Sequence, residues 1–126
     1  MTSPLIPVSW GELLDKIVIL EIKAGRLRAP DAVANAEREL ALLREAAGIL
    51  PPETAPLRSA LLAVNTRLWR IEDEIRAKEA AGDFGPGFVA LARAIYHEND
   101  ERGRIKQALN RLLQSALVEE KQYAAY

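Results

Sequence analysis

The chain has 126 residues, 49% of them apolar and 28% charged, which is the size and make-up of one globular domain and not of a disordered segment. It has no cysteine and one histidine, which excludes disulfides, thiolate metal sites, a cysteine nucleophile and any histidine-rich metal site within one chain. Lysine and arginine number 17 against 18 acidic residues, and the net charge of -1 argues against a general nucleic-acid or anionic-membrane surface. No apolar run approaches the roughly 18 residues of a bilayer span. The opening residues, MTSPLIPVSW, lack the basic region of a signal peptide. A cytoplasmic protein with no nucleic-acid partner and no membrane insertion is expected.

Leucine and alanine are abundant and β-branched residues sparse, so the chain is expected to be all-α: an antiparallel bundle of four helical segments with a long C-terminal helix, within a single domain over 1–126. Residues 1–8 contain Pro4 and Pro7 and read as an extended segment. Ser9 reads as an N-cap with Glu12 three positions on, a capping box that opens a first helix over 9–24, ended by Gly25. Within it, IVIL has strand character, which the cap and the length of the pattern outweigh. A second helix over 31–48 follows Pro30, with Val33, Leu40, Leu43, Ala47 and Leu50 as its stripe; Pro51 and Pro52 close it off. A third over 56–81 opens on Pro56 and carries Leu57, Leu61, Val64, Leu68, Ile71 and Ile75. DFGPG is a loop. The fourth spans 88–122, with Gly103 marking a bend or a close helix crossing. A helix that long invites a partner, and a homodimer built on it is expected.

The informative residues are polar ones on apolar faces. Glu21 falls on the apolar face of the first helix, Asp15 at its border, and Glu12, Lys16 and Lys23 opposite, in solvent. On the third helix Asn65 and Glu72 sit within or at the edge of the stripe, flanked by Arg76. On the fourth, Asn99, Arg102 and Lys106 occupy stripe positions between Ile95 and Leu109, bordered by Tyr96 and Asp100. Buried charges must be compensated, so three readings stay open. Arg102 or Lys106 pairs with Glu72 or Glu21 in a structural network. Alternatively, Glu21, Asn65, Glu72, Arg76, Tyr96, Asn99, Arg102 and Lys106 line a ligand pocket, with Arg102 and Lys106 as anion donors and Glu72 as a general acid or base. In the third reading the helical phase is wrong and these residues are exposed.

No phosphate loop, dinucleotide fingerprint, nucleophile elbow or zinc signature occurs. His97, Glu98, Asp100 and Glu101 in YHEND, with Glu72, Asp73 and Glu74 in IEDEIR, offer carboxylates for Mg²⁺; a solvated helix surface explains them as well, and no resident cofactor or metal is expected.

The blocks SWGELLDKIVILEIKAGRL (9–27), VNTRLWRIEDEIRAKE (64–79), LARAIYHENDERGRIKQALNRLL (91–113) and SALVEEKQYAAY (115–126) resemble a small bacterial family catalogued as domain of unknown function 6165. The resemblance implies a loose link to glycosyltransferases and surface polysaccharide and carries no catalytic residues. Glu98-x-x-Glu101 is similar to one magnesium motif of helical nucleotide pyrophosphohydrolases, but Glu12-x-x-Asp15, the only partner motif, comes before it and not after. Arg76, Arg102, Lys106 and Glu72 resemble helical chorismate mutases in residue type only. Two functions therefore compete: a non-enzymatic module that forms a homodimer or binds a protein partner, and a small-molecule enzyme or binding protein for a phosphorylated or carboxylated ligand.

Overall fold

The computed structural model describes all 126 residues. Four helices follow one another: α1 (Trp10–Arg26), α2 (Pro30–Ala47), α3 (Thr54–Ala80) and α4 (Pro86–Leu112). There is no strand, and IVIL lies inside α1. No helix is long and apolar enough to cross a membrane.

The helix starts follow the local chemistry. Ser9 caps α1, its hydroxyl accepting from the Glu12 N–H. Pro30 and Pro86 occupy the first turns of α2 and α4, where a missing N–H costs nothing. α3 opens two residues before Pro56, because Thr54 and Ala55 donate back to the carbonyls of Pro51 and Pro52.

The largest departure from expectation is the end of α4. It stops at Leu112, ten residues short of the expected boundary at 122. Gln114 takes a left-handed φ of 51°, Ser115 N–H bonds to the Asn110 carbonyl, and Gln114 N–H bonds to that of Arg111. This is a Schellman stop built on glutamine in place of glycine. Residues 115–126 then run without secondary structure back along α4.

α1 is the central element: it packs on each of the other three helices, whereas α2 packs on α1 alone. Leu14, Ile17, Val18, Leu61, Val64, Ile105 and Leu109 form the core, with Ala36 and Leu40 closing it from α2. α1 and α4 run antiparallel, since Gly11 meets Asn110 while Asp15, further along α1, meets Arg102, further back along α4. α3 and α4 form a hairpin, stitched by Arg67 to Glu98 at 3.0 Å. Each has 27 residues, about 40 Å, against about 25 Å for the 17 of α1. The hairpin therefore outruns its cover, and no residue from 72 to 104 is buried. At its tip, Lys78 bonds Asp83 at 2.9 Å and Phe88 meets Phe84 edge-on.

Candidate functional site

The polar seam of α4 faces inward, as its spacing requires, but its partner is Asp15. That carboxylate, at the border of the α1 stripe, is 1% exposed. Arg102 grips it with two bonds, Nε to Oδ1 at 2.9 Å and Nη2 to Oδ2 at 2.5 Å. Asn65 from α3 donates to Oδ1 at 2.9 Å, and Lys106 Nζ lies 3.7 Å from Oδ2. The expectation that Arg102 pairs with Glu72 or Glu21 is thus corrected. Asp15 is the shorter side chain, set on the face of α1 that meets α4, and a short carboxylate stays buried where a longer one reaches solvent.

Lys106 is buried too, and points away from Arg102 along α1. Its Nζ donates to Glu12 at 2.8 Å and to Glu119 at 3.2 Å. Glu12 was expected in solvent. It gives no return bond to Ser9; its carboxylate goes to Lys106. Burial alone lowers the Lys106 ammonium, but its bond to Glu12, the charge of Asp15 and the bond to Glu119 hold it above the ordinary lysine value. The bonds that Arg102 donates to Asp15 likewise raise Arg102. Burial is the largest single influence on Glu119 and raises it, but Lys106 and Lys121 together outweigh it and keep the carboxyl below its usual range.

Next to this network α1 and α4 nearly touch. Gly11 N–H donates to Asn110 Oδ1 at 2.7 Å, and a Cβ on Gly11 would lie 2.5 Å from the Lys106 carbonyl oxygen. Gly11 is therefore the glycine of the close crossing. Gly103, expected in that part, has no atom within 4 Å of a Cβ position. Ser115 accepts from Trp10 N–H at 3.2 Å, tying the start of the C-terminal segment to α1.

Five of the eight expected pocket residues, Asn65, Glu72, Arg76, Asn99 and Arg102, do line one cleft of about 490 Å³ between α1, α3 and α4. Ile19, Ile22, Leu68, Trp69 and Asp73 complete it. Glu72 stands at the rim beside Arg76, at 3.5 Å. The other three lie elsewhere. Glu21 pairs with Arg58 and, at 3.6 Å, with Arg44. Lys106 is outside the cleft. Tyr96 lines a separate cavity of about 640 Å³ under the C-terminal segment, with Tyr123 and Tyr126, whose hydroxyl bonds Asp100. The carboxylates of YHEND and IEDEIR gather no group of three that could hold a metal ion.

Residues 5–126 match the model of a family of unknown function, DUF6165. The chain belongs to that family. The match takes in every member of the seam, from Glu12 to Glu119, and all four helices. No curated protein and no solved structure matches the chain.

Proposed function

We propose that the chain is a non-enzymatic helical module that pairs with a second copy of itself through the α3–α4 hairpin. The observation that carries this reading is the stretch from 72 to 104, two packed helices and a loop without one buried residue. Its apolar side chains are only half covered or exposed: Ile75, Phe88, Leu91 and Ile95 in the first class, Phe84 and Val89 in the second. A two-helix hairpin cannot enclose its own apolar stripe and buries it only against a third surface.

Area supports the same reading. A compact monomer of 13.9 kDa exposes about 6,700 Å², whereas this chain exposes 8794 Å². The surplus of about 2,100 Å² also includes the two extended ends, and still leaves room for the roughly 800 Å² that each partner gives to a standard interface. A net charge of -1 puts no long-range repulsion between copies, and a twofold pair is the commonest closed assembly. Such a dimer suits an accessory part in surface-polysaccharide or glycosyltransferase systems, the association the resemblance implies. Catalysis by Glu72, Arg102 and Lys106 is disfavoured, because Lys106 and Arg102 are both committed to carboxylates and Glu72 is tied at the rim.

Amide exchange tests the pairing. Protection of residues 88–98 should rise with protein concentration while that of α1 stays level. Protection independent of concentration would refute it.

A further inference from the structure

The cleft between α1, α3 and α4 is separate from the hairpin's apolar stripe in chemistry, and its floor holds unused hydrogen-bonding capacity. Asn65 is 6% exposed, and its Nδ2 donates to both Asp15 Oδ1 and the Leu61 carbonyl, at 2.9 and 3.1 Å. Both partners only accept, so the amide cannot be turned round. Its oxygen, on a residue that lines the cleft, has no partner within the chain and is not sealed from solvent. Arg102 spends Nε and Nη2 on Asp15, and its Nη1 keeps only a 3.5 Å contact with Asn99. Arg102 and Asn65 bond the same oxygen of Asp15. A free acceptor and a free donor therefore belong to residues that line the same cleft, both held in place by one buried carboxylate. Such preorganisation lowers the cost of binding.

We propose that this cleft binds a neutral ligand through a primary carboxamide. The ligand carbonyl accepts from Arg102 Nη1, its NH₂ donates to Asn65 Oδ1, and its apolar body lies against Trp69 and Ile22. Charge selects the neutral group. Asp15 offsets Arg102 from below, Glu72 and Arg76 offset each other at 3.5 Å, and Asp73 adds a negative charge to the lining. A carboxylate or phosphate would satisfy Arg102 but set a second lone pair against the Asn65 oxygen, leaving that acceptor unmet. The ligand class is thus unlike the anionic one suggested by residue type.

Benzamide and benzoate differ only in the group under test. Each is titrated to about 20 mM into the ¹⁵N-labelled full chain, and signals are followed for the Asn65 side-chain amide and the Trp69 indole. Benzamide should give saturable shifts at both, with a Kd on the order of 1 mM, and benzoate should bind at least about tenfold more weakly. Trp69→Leu should weaken benzamide about tenfold with the remaining amide signals in place. The comparison of the two probes on the native chain stands even if that variant does not fold. No shift with either probe, equal or stronger binding of benzoate, or shifts centred away from Asn65 and Trp69 would overturn the proposal. Sedimentation read on the same samples separates this result from the fate of the dimer.

Discussion

At the scale of single residues, Asp15 decides how the seam is built. It sits 1% exposed among two cations and an amide, so removing a partner leaves a buried charge uncompensated. Arg102→Ala should cost about 3 kcal/mol in urea denaturation, and the double change Asp15→Leu with Arg102→Met should recover most of that. Glu72→Leu, at an exposed i,i+4 pair, should stay within about 0.5 kcal/mol. A Glu72→Leu loss as large as that of Arg102→Ala would contradict the assignment of Asp15 as the partner. Two of the helical glycines, Gly11 and Gly103, give a second contrast. Gly11→Ala forces a Cβ to within 2.5 Å of a backbone oxygen and should destabilise by about 2 kcal/mol or more. Gly103→Ala meets open space and should stabilise by up to about 1 kcal/mol through helix propensity. Thermal melts of the two variants check this; equal shifts would refute it.

At the scale of elements, the four helices, their order and most of their stripes were legible, because apolar spacing and the Pro and Gly punctuation agree. The end of α4 was not, since a Schellman stop on Gln114 carries no glycine to announce it. The site was legible in part. Spacing placed Lys106 in the interior, while Asn99 and Arg102 are only half covered, and Asp15 lay on the border of a wheel that cannot say which neighbour fills the gap. Gly11 had no signal at all, because closeness of two helices is a tertiary fact. Glu119, beyond the stop, pairs with Lys106 and holds the C-terminal segment down. Its folded value is lowered, so this contribution is complete above its ordinary 4.5 and is lost as pH falls through the folded value. Lys106 is raised, so its share is complete below its ordinary 10.5 and is lost as pH rises through the folded value. Residues 115–126 should therefore stay docked at neutral pH and loosen in acid before the bundle melts. Backbone amide relaxation at pH 7 and about pH 3 reads this directly. Glu119→Gln should loosen the segment at pH 7. Unchanged relaxation of 115–126 in both cases would contradict the strap.

At the scale of the whole molecule, one short helix organises a body at one end while two long ones continue past it. The core uses α4 only from Ile105 onward, and the apolar residues before it, Phe88, Leu91 and Ile95, serve no interior of this chain. Such a shape is costly to a monomer and ordinary for half of a dimer. The most direct test is sedimentation equilibrium of the full chain at about 50 μM, alongside the variant carrying Leu91→Lys and Ile95→Lys. The account predicts twice the chain mass of 13.9 kDa for the native protein, and the single mass with retained helical circular dichroism for the variant. A native protein at the single mass would contradict it.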